Sequence, residues 1–427
     1  MTAPCLPLSA PRALVGSVCM LSLVLCGACS GVSYGDRGRA TGPIPRTAIV
    51  SSDGENATVI PGCQYAAGSL RQFFAGEHYR DLWTTPIRVP VLNLATFAGG
   101  LTPLRQGGGR QTLSLRLQGR DGRQFVFRTV AKDQRHVLPE ALRATPIADI
   151  FQDQASSMNP AGALVVDELA QALGLYHAHP ILVLAPDDER LGEFRQAFAG
   201  RLGLIEEYPV AGGAGSTGIA GADRIVSTRK LFRSLDKDCE NRVDSRSYLT
   251  ARLLDMLVGD WDRHADQWRW ARFREGGRYV YQVLPRDRDQ AFAQLDGLFP
   301  RIAEIAFVQV EDFSKNLDDI PSLMHSGSVV DRRILADLDK SAWDGVTSEA
   351  IARLTDDVID DAVRRLPLPY YELRGAWLAA ALKARRDRLK EASGIYYNTL
   401  AASMGVHRSD EPEPSHPPPA SGDEYSP

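Results

Sequence analysis

The sequence predicts an α+β fold in two lobes, strand-rich first and helix-rich after. Three observations point to it. Short segments of period-two alternation crowd the N-terminal half, helical periodicity dominates the C-terminal half, and Glu206-Glu207-Tyr208-Pro209 marks a junction between them. Two carboxylate clusters then stand in the C-terminal half. The first reads Gly259-Asp260-Trp261-Asp262-Arg263-His264-Ala265-Asp266-Gln267, and the second Leu284-Pro285-Arg286-Asp287-Arg288-Asp289-Gln290-Ala291-Phe292.

The elements follow in chain order. Arg12, the apolar run 13–25 and Cys26-Gly27-Ala28-Cys29-Ser30 form an export signal over 1–29; its end resembles a bacterial lipobox. That resemblance implies a lipid anchor at Cys29 and a place in the cell envelope. Ser30 after the cysteine resembles the sorting signal for the outer membrane, facing periplasm or exterior. An ordinary cleaved signal is the alternative. Residues 30–62, rich in Gly, Ser, Pro and Thr, read as a flexible tether, and 63–210 as the nucleotide-binding, strand-rich lobe.

Within that lobe, 112–117 and 124–132 alternate as strands around the hairpin turn Gly119-Arg120-Asp121-Gly122. Asn159-Pro160 opens a helix that Gly174 closes, and 181–184 and 202–207 read as strands. Residues 211–222 form a Gly- and Ala-rich loop with no Walker-type phosphate motif. The helical lobe, 223–406, holds a helix over 245–258 that delivers Asp262 at its C-terminal end. Further helices fall near 346–365 and 372–402, and 407–427 is a disordered tail.

Composition narrows the function. A net charge of −4 gives no sign of nucleic-acid binding. Only seven of the 49 basic residues are lysines, and Lys132 is the sole one before Lys230, so a lone ammonium there is informative. After loss of the signal, Cys63 and Cys239 remain beside Cys29, either bridged or as separate thiols. His177-Ala178-His179 has ligand-like spacing on a strand, but no third ligand stands nearby in sequence.

Between the two clusters, 268–283 is apolar and aromatic apart from the turn Arg274-Glu275-Gly276-Gly277. A β-hairpin of that length returns its ends to one place. Asp262 and Asp287 then face one cleft, one as proton acceptor and one as metal ligand, as phosphoryl transfer requires.

Asp262-Arg263-His264 resembles the Asp-Arg-His core of atypical secretory-pathway kinases of the FAM20 group. Together with 285–292 it is also similar to the spore-coat CotH kinases and, more distantly, to HipA-type kinases. The resemblance implies a bilobed protein-kinase-like fold, bound ATP or another nucleotide, and Mg²⁺ or Mn²⁺. The acceptor is an unknown protein, peptide or glycan. Asp262 is then the catalytic base. Asp287 binds metal, with Gln267, five residues after Asp262, or Asp289 completing the shell. Lys132 pairs with the nucleotide phosphates, with Arg128 as fallback, and Asp153 or Glu168 is the acid that holds it. Gly107-Gly108-Gly109 is a phosphate loop, and 204–208, with Glu206, reads the base. Two residues depart from the pattern: Gln267 replaces an asparagine and Arg286 an aromatic. Those departures, with an ATP-poor compartment, make a catalytically weak, pseudokinase-like scaffold binding a partner protein the alternative.

Overall fold

Alternation in short segments builds the first sheets. The computed structural model describes residues 47–108, 111–212, 219–298 and 312–406. The signal with Cys29, Gly109, residues 213–218 of the glycine-rich loop and the 407–427 tail lie outside the described residues.

β1 (Ala48–Ser52), β2 (Asn56–Ile60) and β3 (Ile87–Pro90) form an antiparallel sheet in that order. Strand therefore replaces the expected tether from residue 48 onward. Ala57 and Val59 are buried alternately along β2, a signal masked by the polar residues around it. Asp53 accepts bonds from the amides of Glu55 and Asn56 and closes the β1–β2 turn. Two short helices lie between β2 and β3, α1 (Ser69–Ala75) and α2 (Arg80–Thr84).

The main N-terminal sheet has β4 (Leu101–Gly107), β5 (Ser114–Gly119), β6 (Gln124–Thr129), β7 (Ile181–Leu184) and β8 (Leu202–Glu207). Its strand order is β4-β5-β6-β8-β7, all antiparallel. The hairpin expected at 119–122 joins β5 to β6. β6 stops at Thr129, three residues before Lys132, and α3 (Pro146–Asp153) and α4 (Gly162–Ala172) follow before β7. One face of this sheet makes its own core from Leu115, Leu117, Phe125, Phe127, Ile205 and Phe198.

After the short pair β9 (Ala211–Gly212) and β10 (Ile219–Ala220) comes a second sheet. It contains β11 (Arg224–Ser227), β12 (Asn241–Val243), β13 (Trp268–Glu275) and β14 (Arg278–Pro285), ordered β11-β13-β14-β12. β13 and β14 are the expected hairpin. Trp268 pairs with Pro285 at its open end, and Gly276-Gly277 turns it with positive φ at both residues. α5 (Thr228–Lys237) and α6 (Ser245–Val258) belong to the same region. Asp244 caps α6 by accepting from the Ser247 amide. Nearly every residue from Tyr248 to Val258 is buried, so α6 is the central helix. α7 (Ser328–Leu335), α8 (Lys340–Arg353), α9 (Asp356–Val363) and α10 (Ala376–Val406) complete the helical part.

The α+β class holds, with sheets mainly in the N-terminal part and helices in the C-terminal part. The larger core does not respect a boundary at 210. It runs from Val59, Trp83 and the α4 residues Val165 and Leu169 through α6 to Trp343 and Leu382. Cys63 and Cys239 are exposed, separate thiols. No helix among the described residues is long and apolar enough to cross a membrane.

Candidate active site

The two carboxylate clusters meet because α6 and the β13–β14 hairpin end side by side. Gly259 ends α6 with φ +69°, and the Asp260 amide closes the turn on the Asp255 carbonyl at 2.9 Å. This left-handed helix end favours glycine, and a Cβ there would meet Phe313 at 2.9 Å. The chain then enters the loop with Asp262. Ser326 holds this loop: its hydroxyl donates to the Trp261 carbonyl and accepts from the Arg263 amide at 2.9 Å.

Arg263 makes the join. Its buried guanidinium donates to the carbonyls of Arg286 at 2.7 Å and Asp287 at 2.8 Å, and stacks 4.2 Å from the Trp268 ring. Asp287 has φ +50°, a left-handed conformation that costs a non-glycine residue about 1 kcal/mol or more. The bonds from Arg263 hold that turn and fix where the Asp287 carboxylate stands.

A cleft opens over this turn. It is lined by Arg128, Lys132, Glu206, Arg286, Asp287 and Asp289, with Val130, Met158, Val166 and Leu204 as apolar wall. The Lys132 ammonium contacts Asp289. Burial disfavours its charge, but Asp289 and Asp287 outweigh that and raise its pKa. Burial also opposes ionisation of Asp287, yet Lys132 and Arg128 hold its carboxyl well below the usual range. Asp289 goes the other way, pushed up to about 7 by burial and by Asp287, with Lys132 opposing. Arg128 donates to Glu206 at 2.5 Å. Asp287 Oδ1 is buried without a hydrogen-bond donor. An orphaned hard oxygen beside a second carboxylate fits a divalent cation such as Mg²⁺ or Mn²⁺.

Several expected roles change. The acid that holds Lys132 is Asp289, neither Asp153 nor Glu168. Asp153 is occupied by Arg80 and Arg71, and Glu168 by Arg365. Gln267 does not line the cleft. It lies at the foot of β13, where its amide bonds the His264 carbonyl and its own carbonyl accepts from the Arg286 amide at 3.0 Å. Asp262 also stands outside the cleft lining, partly exposed, although its charge acts on Lys132.

Gly107 and Gly108 do not line the cleft either. Gly107 pairs with Ser114 in the β4–β5 hairpin, and Gly108 has φ +104°, where a Cβ would meet the Thr112 carbonyl oxygen at 2.0 Å. These glycines serve a tight turn. The 204–208 segment does wall the cleft, but the Glu207 and Tyr208 amides are spent on the Ala178 and Gln124 carbonyls.

Arg286 is the residue sequence reasoning undervalued. It lines the cleft, and burial together with Arg128 and Arg269 lowers its pKa to about 10. Crowded cations of this kind favour an anionic ligand. Ser326 and the structural use of Arg263 gave no signal in the sequence.

No protein-family model matches the chain, and no curated protein matches it. Among solved structures it is similar to the Helicobacter pylori proinflammatory kinase CtkA, with 10% identity and a TM-score of 0.35 over 67% of this chain and 95% of that one. It is also similar to HipA from a Shewanella oneidensis MR-1 toxin–antitoxin system, solved with HipB and operator DNA. There the identity is 12% and the TM-score 0.32, over 68% of this chain and 71% of that one. Overlaps this loose do not assign a function, and the site geometry has to stand by itself.

Proposed function

We propose that the chain is a kinase-like phosphotransferase that moves a phosphoryl group from a nucleotide to a hydroxyl acceptor. The observation that carries this reading is the Lys132–Asp289–Asp287 cluster, with Asp287 ionised and one of its oxygens unsatisfied. Asp287 and Asp289 are the residues that would hold Mg²⁺ or Mn²⁺, which when bound supplies charge neutralisation for the phosphates. Lys132, Arg128 and Arg286 attract and orient phosphate oxygens. Val130, Met158, Val166 and Leu204 supply the apolar part of the lining and exclude water. Asp262, exposed toward an incoming acceptor, takes the hydroxyl proton.

The signal over 1–29 supports action in the bacterial envelope with Cys29 as lipid anchor, on a protein, peptide or glycan acceptor. The test is ATP binding by the purified chain with and without Mn²⁺. Asp287→Ala should weaken the metal-dependent part by about 10- to 100-fold, and unchanged affinity would sink the site.

A second reading has an observation in its favour. Gln267 and Asp262 both stand outside the cleft lining, which suits a nucleotide-binding scaffold without turnover. Stabilisation by nucleotide and Mn²⁺ with no label transfer to any acceptor would select it.

A further inference from the structure

The His177-Ala178-His179 pair acquires its third ligand from the fold. Asp167 lies on α4, ten positions earlier, and the chain turns back after Gly174 to lay both histidines against it. His177 Nδ1 hydrogen-bonds Asp167 Oδ1 at 3.2 Å, and His179 Nδ1 stands 3.7 Å from Asp167 Oδ2. One ligand atom from each of the three residues falls within 4.8 Å of the others. With metal–ligand bonds of about 2.0–2.1 Å, neighbouring donors on a tetrahedral ion sit roughly 3.3–3.5 Å apart. The two measured separations, each to a different oxygen of the one carboxylate, lie on either side of that value.

The backbone is bent to make this happen. His179 has φ +48° although Pro180 follows, and a residue before proline is ordinarily extended. The Asp167 carboxylate accepts the His179 amide at 3.1 Å and so fixes the turn. The two imidazole rings end 4.0 Å apart, both facing one carboxylate. Two imidazoles and a carboxylate form the donor set of a transition-metal site.

We infer that Asp167, His177 and His179 form a binding site for a Zn²⁺-class transition-metal ion, separate from the Asp287 cluster. Two nitrogen ligands disfavour Mg²⁺ and Ca²⁺. Three protein ligands leave a fourth position for water or a ligand group. The site borders the same cleft, since Asp167 and His177 line it together with Glu206 and Arg286. The Ala178 carbonyl between the histidines accepts the Glu207 amide at 3.2 Å, which ties the site to the end of β8.

The experiment uses the untagged full chain, stripped of metal and titrated with Co²⁺ and then Zn²⁺. His179 is 73% exposed, so His179→Ala removes a ligand without touching the core. The wild type should take up one equivalent of Co²⁺ with the visible absorption of a four-coordinate ion, displaced by Zn²⁺. His179→Ala should weaken uptake at least tenfold while leaving the melting temperature of the metal-free protein unchanged. Asp167→Asn should weaken it similarly, and Asp287→Asn should leave it intact, so failure of the phosphotransferase reading does not touch this one. Absence of Co²⁺ uptake, or uptake that survives His179→Ala and persists in the His177→Ala/His179→Ala double variant, overturns the inference.

Discussion

Two ionic clusters stand back to back beneath and above the Asp287 turn, and they have the same inventory. Below, Arg252, Arg263 and Arg288 face Asp255, Asp260 and Asp331; above, Lys132, Arg128 and Arg286 face Asp287, Asp289 and Glu206. In the lower set every carboxylate is paired, although Arg263 Nη2 is buried without an acceptor. Asp255 takes Arg252 on one oxygen and Arg263 with Arg288 on the other, and Asp331 takes Tyr248 and Arg252. The upper set is open. Asp287 Oδ1 has no donor and its backbone is strained. Equal counts of charge therefore mean different things: a network whose carboxylates are all paired holds the fold, and one with an unpaired carboxylate oxygen waits for a ligand.

Breaking each set separates the two roles. Asp255→Asn leaves two buried guanidiniums and the half-buried Arg288 short of a carboxylate, and such a loss costs about 3–5 kcal/mol. Chemical denaturation should show that fall, or the protein should not accumulate. Asp287→Ala should cost clearly less stability than Asp255→Asn, because Asp289 and Glu206 still pair Lys132 and Arg128, while lowering Mn²⁺-dependent ATP affinity by about 10- to 100-fold, or roughly 1.4–2.8 kcal/mol. A large stability loss from Asp287→Ala would erase the contrast between the clusters.

Lys132→Met should weaken nucleotide binding by about tenfold, near 1.4 kcal/mol, read by calorimetry at fixed Mn²⁺. It removes one of four cations that line the cleft, and Arg128, Arg286 and Arg288 remain.

Asp289 offers a pH test. Its pKa is raised in the folded chain to about 7. The folded state therefore binds its proton more tightly than the unfolded state does. The resulting stabilisation is fully present below the unfolded carboxyl value near 4 and is lost as pH rises to about 7. Asp289→Asn should remove that slope, which is at most about 1.4 kcal/mol per pH unit. Denaturation midpoints across pH 4–8 in the presence of a chelator, compared with the wild type, read it directly. Parallel curves would show that Asp289 titrates alike in both states.

The fold was legible where periodicity was local. The β5–β6 and β13–β14 hairpins and helix α6 announced themselves through alternation, glycine turns and caps, and β13–β14 brings the two acidic clusters together as its length required. What stayed hidden depended on long-range pairing. Asp153 and Asp289 are chemically equivalent in a sequence, and only the packing of α2 against α3 gives the first to Arg80 and leaves the second for Lys132. Asp167 was invisible as a metal ligand for the same reason, since the turn after α4 makes it a neighbour of His177. Residues 48–60 were misread because two buried side chains in a polar segment are too weak a signal.

The smallest expected effect tests the boundary of the open set. Gln267 occupies the position that the kinase resemblance assigns to a metal ligand, but its backbone is committed to the foot of the hairpin and its side chain does not line the cleft. Gln267→Ala keeps both backbone hydrogen bonds and removes only the amide side chain. Mn²⁺-dependent ATP affinity should then stay within about twofold of the wild type, less than about 0.5 kcal/mol. A loss as large as that of Asp287→Ala would mean that the loop after Asp262 moves inward when nucleotide binds. The metal would then be held from both acidic clusters, and the division between a lower network of paired carboxylates and an upper one with an unpaired oxygen would have to be redrawn around that loop.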